Sequence, residues 1–141
     1  MVKAVQYFNF QDALSAIRYY EEVFGAEVVS ISTGDDEMFA DSNMPDGVDG
    51  DFVMHSEIKI LGHSFYISST WNKSEINNDG AMTCFVFDLN DENEKTQMKE
   101  FYQKAVDSGV EVQMELGETE WTPMFASFKD KCGVNWMLSG E

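Results

Sequence analysis

The side chains in this sequence best suited to proton transfer are His55 and Glu57, which lie two residues apart. Within the strand predicted over residues 52–61, the stretch 54–60 alternates between one row of Met54, Ser56, Ile58 and Ile60 and a polar row, as a strand with one buried face does. Side chains two apart on a strand share a face, so His55 and Glu57 stand together. A neutral imidazole can accept a proton from a carbon acid or a hydroxyl near pH 7, and Glu57 would orient it. The pair predicts a catalytic acid–base site; the open alternative is that both residues are solvated or lie at a dimer interface.

A second group of candidates is aromatic. Flat rings offer a large contact area and can hold a cation on their faces, although each ring is also compatible with an ordinary core position. Trp121 is set in a polar run, which favours a ligand or dimer contact, whereas the strand position of Trp136 favours the core. The candidate ligand-binding residues are Tyr7, Tyr66, Trp121, Phe125 and Trp136.

Charge limits the classes of partner. The 141 residues include 26 acidic and nine basic side chains, for a net charge of −17. Such a surface repels phosphate backbones and anionic membranes, so we expect neither nucleic acid nor a membrane as partner. A general solubility effect is the simpler explanation of this charge, and attraction of a cationic ligand is the alternative. With 43% apolar residues and no linker-like stretch, the chain is expected to form a single domain over residues 1–141.

The location is inferred from the absence of targeting features. The N-terminal residues lack the apolar core of a signal peptide, and no apolar run is long enough to cross a bilayer. Cys84 and Cys132 form no metal-binding or redox motif. A cytoplasmic protein with two free thiols is therefore expected, with Cys84 as a core residue on a central strand.

The pattern of elements repeats once along the chain. In the first half, a strand at residues 4–10 precedes a helix that Asp12 caps and Gly25 ends. Strands follow at residues 26–33, 52–61 and 63–69; the last two form a hairpin, and residues 34–51 form a polar loop.

The second half has the same order. A strand at residues 81–88 precedes a helix capped by Asn90 or Asp91 and ended by Gly109, and strands follow at residues 110–116, 123–129 and 134–139. The half-repeats cover about residues 1–70 and 80–141. This order predicts an α+β fold of two βαβββ units, whose curved mixed sheets close around a cavity.

Four stretches of the chain resemble the vicinal-oxygen-chelate superfamily, which includes glyoxalases, bleomycin-resistance proteins and dioxygenases. They also resemble its PhnB-like group, labelled 3-demethylubiquinone-9 3-methyltransferase-like. The most specific stretch is Asp-Lys-x-Gly-Val-x-Trp-Met at residues 130–137. The others are residues 7–27, 54–62 and 120–128.

The resemblance implies a glyoxalase-like fold and a cytoplasmic homodimer with ligand cavities lined by the sheets. It implies no single reaction, because the superfamily includes lyases, isomerases, dioxygenases and drug-sequestering proteins. No glycine-rich turn follows a strand as a nucleotide-like cofactor would require, so we expect no cofactor and no methyltransferase activity.

The resemblance also implies where a divalent metal would be held. The corresponding positions are Tyr66, Met137 and, within about one residue, Gln6 and Met82. Thioethers and a phenol are poor ligands for Mg²⁺, Mn²⁺, Ni²⁺ or Zn²⁺, so the sequence predicts no metal at this site.

Two functions remain as hypotheses. The first is a metal-free homodimer that sequesters or senses a small organic ligand, with a bias toward cations. The second is a lyase or isomerase of the same superfamily that uses His55 as a general base, so whether the chain is an enzyme stays open.

Overall fold

The computed structural model of the chain describes residues 1–34, 50–71 and 74–141. It contains two compact units, Met1–Ile76 and Asn77–Glu141, and each follows the order βαβββ. Within the described ranges, no helix is long and apolar enough to span a bilayer. Most of the loop predicted over residues 34–51 lies outside the described residues.

The first unit is a four-stranded mixed sheet with one helix. Strand order is β1-β4-β3-β2, and only the β1–β4 pair is parallel. The elements are β1 (Gln6–Phe10), α1 (Ala13–Phe24), β2 (Glu27–Thr33), β3 (Val53–Ile60) and β4 (His63–Ser69).

Both predicted ends of α1 are confirmed. The Asp12 carboxylate accepts hydrogen bonds from the Ser15 backbone N–H at 3.2 Å and the Ser15 hydroxyl at 2.8 Å. Gly25 has φ +66°, the left-handed conformation that ends helices at least cost for a residue without Cβ. The helix buries one face, which includes Ile17 and Tyr20, against the sheet.

The predicted hairpin between β3 and β4 is confirmed and has a demanding turn. Ile60 pairs with His63, so the turn has two central residues, Leu61 at φ +52° and Gly62 at φ +81°. Two positive φ angles match the twist of the flanking strands. Leucine is rarely found in this conformation, so the packing of the two strands must offset the strain at Leu61.

The second unit repeats the first. Strand order is β5-β8-β7-β6, and only the β5–β8 pair is parallel. Of the two capping candidates, Asp91 caps the helix, accepting from the N–H groups of Asn93 and Glu94 at 2.9 and 3.2 Å. The elements are β5 (Met82–Phe87), α2 (Glu92–Asp107), β6 (Glu111–Gly117), β7 (Phe125–Lys129) and β8 (Asn135–Gly140).

The same ring packing occurs beneath both helices. Phe8 stacks on Phe65 with centroids 5.9 Å apart and planes 7° apart. Phe85 stacks on Trp136 at 5.7 Å and 3°. In both units the rings come from the parallel strand pair, at matching positions of the two halves. The predicted α+β class and the paired βαβββ units are therefore confirmed.

Each sheet has two faces, which position everything that follows. The helix side carries the buried rings and aliphatic side chains that pack against α1 or α2. The opposite side, here called the helix-free face, carries the alternate residues of every strand.

Candidate functional site

Three rings meet on the helix-free face of the first unit. The sheet register places Tyr7 beside Tyr66 across the β1–β4 pair, and His55 lies on the same face of β3. The His55 ring centroid is 5.0 Å from that of Tyr66 and 6.1 Å from that of Tyr7. The two tyrosine rings are 6.1 Å apart and nearly perpendicular. We call Tyr7, His55 and Tyr66 the ring cluster.

Hydrogen bonds hold one side of the ring cluster in place. The Tyr7 hydroxyl donates to Ser68 Oγ at 3.1 Å, and Ser68 Oγ donates to Asn9 Oδ1 at 2.9 Å. Ser68 is buried, while Tyr7 remains 43% exposed. The phenol is thus oriented by the neighbouring strands, while much of its surface is free to contact a ligand.

The structure places Glu57 on the face of His55 but gives it a different partner. Glu57 Oε2 accepts a hydrogen bond from the Ser64 hydroxyl at 2.8 Å. Among the described residues, His55 and Glu57 share no hydrogen bond, so the expected orienting contact does not form. His55 is exposed, and Glu57 is half-buried.

The positions implied for metal ligands need a correction of one residue in β1. Tyr7, and not Gln6, is the register partner of Tyr66 on the shared face, because Gln6 pairs with Phe65. A shift of one residue moves a strand side chain to the opposite face, so an uncertainty of one residue in the sequence is decisive here. The two facing side chains are both phenols.

At the corresponding place in the second unit, the facing side chains contain sulfur. Cys84 is the register partner of Met137, and Met82 lies on the same face two residues before Cys84. Met82 is 45% exposed. Within the described residues, no group of three His, Cys, Asp or Glu side chains is arranged to hold a metal ion.

The expectation that Cys84 is a core residue is wrong. Strand β5 is an edge strand, and its alternate residues Phe85 and Phe87 fill the helix side, which leaves Cys84 exposed on the other face. Partial burial and, to a smaller degree, the negative charge of Glu141 raise the pKa of the Cys84 thiol. Cys84 and Cys132 are both free thiols.

An aromatic pair lies at one end of the second unit's helix-free face. Phe125, in β7, is buried, and the Trp121 ring meets it edge to face at a centroid distance of 5.3 Å. Trp121 is 64% exposed, although it belongs to a loop that hydrogen bonds tie down: the Thr122 hydroxyl donates to the Gly140 carbonyl. The polar run around Trp121 was the feature of the sequence that indicated its exposure.

A polar network lies at the other end of this face. Lys129 Nζ is 2.6 Å from Asp79 Oδ1, and the Asn135 amide donates to the same oxygen at 3.4 Å. Gln113 donates in turn to Asn135 at 2.9 Å. The hydrogen bond between the two charged groups lowers the pKa of Asp79 and raises that of Lys129. No local sequence pattern indicates this network, because it joins residues far apart in the chain.

Trp136 is not brought to a helix-free face. It is fully buried on the α2 side, stacked on Phe85, and its indole N–H donates to Asp130 Oδ2 at 2.7 Å. Asp130 also accepts from the N–H groups of Cys132 and Val134, at 2.7 and 3.1 Å. The most specific motif of the sequence therefore builds a turn and its buried anchor. Trp136 and Met137 are successive residues of β8, so their side chains lie on opposite faces of the sheet, and Trp136 is the one on the α2 side.

The geometry defines a protein of paired βαβββ units, in each of which the helix covers one face of the sheet and leaves the other face free of a helix. A family model of the glyoxalase/bleomycin resistance protein/dioxygenase superfamily matches residues 7–138. The chain belongs to this superfamily, as its motifs predicted. Among proteins of curated function, none matches the sequence.

Solved structures share the fold over their whole length. Protein PA1353 from Pseudomonas aeruginosa is 24% identical with a TM-score of 0.75, and the match covers 100% of this chain and 98% of that one. The PhnB protein from Bacillus cereus is 22% identical with a TM-score of 0.67, covering 99% and 100%. The fosfomycin resistance protein FosX from Listeria monocytogenes is 12% identical with a TM-score of 0.64, covering 100% and 93%. At these identities the likeness is one of fold.

Proposed function

We propose that this chain binds a small organic ligand at the ring cluster of Tyr7, His55 and Tyr66, without a metal, and acts by sequestering or sensing that ligand. The observation that carries the proposal is that two phenol rings, Tyr7 and Tyr66, face each other at positions where the resemblance implies metal ligands, with an imidazole ring within 6.1 Å of both. Ring faces attract cations, and phenols are poor ligands for hard divalent metals.

Charge supports a cationic ligand. Glu57 lies on the same face together with Lys59, and the chain carries a net charge of −17, so the overall field favours positive ligands. The Trp121–Phe125 pair is proposed as a second aromatic contact surface, on the other unit. Trp136 is left out of the proposed contacts because it is fully buried.

Calorimetric titration with benzyltrimethylammonium tests this proposal. We expect binding by the wild-type chain and a loss of about tenfold in affinity for Tyr66→Leu, because a desolvated cation–π contact contributes about 1–2 kcal/mol. Met137→Leu is the matched control, since Met137 occupies the corresponding position of the second unit and should bind as wild type does.

Benzoate, which has the same ring and the opposite charge, separates charge from ring stacking. It should bind the ring cluster at least tenfold more weakly than the cation. Equal Tyr66-dependent affinity for the two probes, or no binding of the cation, would contradict the proposal.

The metal-free part of the proposal has its own measurement. Elemental analysis of the purified chain should show no stoichiometric Ni, Zn, Mn or Fe, and a chelator should leave the melting temperature unchanged, because a bound metal would stabilise the native state. A stoichiometric metal that is lost in Tyr66→Leu would overturn this part.

A second candidate function is proton abstraction from a carbon acid by His55. It is favoured by the position of the exposed imidazole beside the Tyr66 ring, where a phenol can polarise a carbonyl group. The test is deuterium exchange of the α-protons of dihydroxyacetone, followed by nuclear magnetic resonance. Exchange that is lost in His55→Ala and kept in His63→Ala, the other histidine of the chain, supports this function. Absence of exchange in the wild type removes it.

We also propose that the chain acts in the cytoplasm as a homodimer, with residues 1–141 as one functional domain. Exposed apolar side chains of the second unit's helix-free face support self-association: Val86 is 60% exposed and Met82 is 45% exposed. Sedimentation equilibrium should give twice the chain mass, and a Val86→Glu variant should shift the equilibrium toward the monomer.

A further inference from the structure

The second unit contains a surface pocket that is separate from both helix-free faces. It has a volume of about 490 Å³ and lies among α2, the end of β6 and the loop that precedes β7. This volume is within the range of small-molecule sites, about 300–1,000 Å³. The lining residues are Leu89, Lys95, Lys99, Leu116, Gly117, Pro123 and Met124.

The charge of this lining is opposite to that of the chain. Acidic residues outnumber basic ones by 26 to nine overall, yet the described residues that line the pocket include two lysines and no acid. Lys95 and Lys99 are one helical turn apart, so their side chains extend from the same face of α2. A second pocket, at the start of α1, follows the charge of the chain, because its lining contains Asp12, Glu22 and Asp51 against the single basic residue Arg18.

Of the two ammonium groups, only that of Lys95 forms an ion pair among the described residues. Lys95 Nζ is 3.3 Å from Glu92 Oε1, a long contact to a carboxylate that is 82% exposed. Lys99 forms no ion pair with any residue in the described part of the chain. Exposed pairs of this kind contribute little, so a bound anion can replace the contact of Lys95 with Glu92 at small cost.

The apolar wall of the pocket is held by hydrogen bonds. The Leu89 backbone N–H donates to the carbonyl of Glu141 at 3.0 Å, which fixes Leu89 against the last strand. On the other side, the Met124 carbonyl accepts from the N–H of Gly140 at 2.8 Å. An added Cβ at Gly140 would lie 2.5 Å from Leu89 Cδ2, so a larger residue there would displace the Leu89 side chain from the pocket wall. The backbone of the apolar wall is therefore anchored before a ligand binds, which lowers the entropy cost of binding.

We propose that this pocket binds an organic monocarboxylate with an aliphatic body. The carboxylate would lie between Lys95 and Lys99, and the body would cover Leu89, Leu116 and Met124. A single negative charge suits two lysines in a chain of net charge −17, whereas a phosphate dianion would be repelled more strongly by the surrounding acids. The pocket shares no residue with the ring cluster, and its proposed ligand is an anion, whereas the ligand proposed for the ring cluster is a cation.

Calorimetric titration with monomeric decanoate tests this proposal. The wild-type chain should bind decanoate, and Lys95→Gln/Lys99→Gln should bind it about tenfold more weakly, the effect expected of two partly exposed ion pairs. Lys104→Gln is the matched control, because Lys104 lies in the last turn of α2, does not line the pocket, and should not alter binding. Circular dichroism confirms that each variant is folded.

A cationic probe with the same tail completes the experiment. Decyltrimethylammonium should not bind at this pocket, so Leu116→Gln should weaken decanoate and leave the binding of the cation unchanged. Absence of decanoate binding, equal binding of the two probes at the pocket, or an equal loss in Lys104→Gln and the double variant would overturn the proposal.

Discussion

The two helix-free faces occupy the same place in the two halves of the chain and differ completely in chemistry. In the first unit, the parallel strands present Tyr7 beside Tyr66. In the second unit, the corresponding pair is Cys84 and Met137. The next strand presents His55 in the first unit and Phe125 in the second. At these corresponding positions, one face carries two phenols and an imidazole, and the other carries a thiol, a thioether and a phenyl ring.

On the helix sides of the same sheets, the side chains of the two units are arranged almost alike. The stacked ring pairs, Phe8 on Phe65 and Phe85 on Trp136, have almost equal distances and angles. Both helices begin at an aspartate cap and are followed by a glycine of positive φ. Packing constrains the helix side in both halves, because a core change costs several kcal/mol, whereas the helix-free face is free to carry different functions.

The largest effect expected from this comparison is on stability. Trp136→Ala should destabilise the chain by about 3–5 kcal/mol, the cost of truncating a large buried aromatic side chain. Phe65→Ala, at the matching position of the first unit, should cost a similar amount, because Phe65 is only 3% exposed. Urea unfolding measures both.

Trp121→Ala is the control for these core variants. Since Trp121 is 64% exposed, its removal should change the free energy of unfolding by less than about 1 kcal/mol. Equal losses for Trp121→Ala and Trp136→Ala would break the distinction between the helix side and the helix-free face.

The next effect in size is on ligand binding. Exchanging the corresponding residues, Tyr66→Met together with Met137→Tyr, should weaken benzyltrimethylammonium by about tenfold, because the ring cluster loses a cation-binding ring. Melting should be little affected, since both side chains are only half-buried. Unchanged affinity would mean that the two faces are interchangeable and that the ring cluster is not the site.

A smaller effect is expected on the alkylation rate of the Cys84 thiol. Because partial burial and Glu141 raise its pKa, the thiolate fraction at neutral pH is low, and alkylation by iodoacetamide should accelerate as the pH rises into the alkaline range. Glu141→Gln should lower this pKa slightly and increase the rate at neutral pH. Cys84→Ser identifies the signal, and a faster reaction at low pH would contradict the assignment.

The smallest effect concerns the polar network of the second unit. The lowered pKa of Asp79 means that its contribution to stability is present above the pKa of the unfolded chain and is lost as the pH falls through the folded value. The raised pKa of Lys129 means that its contribution is lost as the pH rises through its folded value. The pair therefore stabilises the unit between these limits, by a small amount because both groups are well exposed.

Asp79→Asn tests this window by thermal unfolding. It should lower the melting temperature slightly at neutral pH, and the difference from wild type should shrink as the pH is lowered. Glu100→Gln, on the exposed side of α2, is the control. A difference that grows on acidification would contradict the assignment.

The sequence was sufficient for what depends on local chemistry and periodicity. The Asp12 cap, the helix-ending Gly25 and the Leu61-Gly62 turn were each predicted from residue type, and Asp91 was one of two candidates for the second cap. The alternation of β3 correctly separated His55 and Glu57 from the residues that pack under α1. Periodicity determines which residues share a face once a strand is recognised.

What the sequence could not provide depends on strand pairing. The partner of Tyr66 was placed one residue away, at Gln6, because register is fixed by contacts between distant segments. Cys84 was assigned to the core because nothing local shows that β5 is an edge strand. The Asp79–Lys129 pair and the lysine-lined pocket each bring together separate segments of the chain and leave no local pattern.

The most direct test of the ring cluster is the backbone amide spectrum of the chain titrated with benzyltrimethylammonium. The largest chemical-shift changes should occur in β1, β3 and β4, centred on Tyr7, His55 and Tyr66, and they should vanish in Tyr66→Leu. Changes confined to Asn77–Glu141, or changes that persist unaltered in Tyr66→Leu, would contradict a ligand site built on the phenolic face.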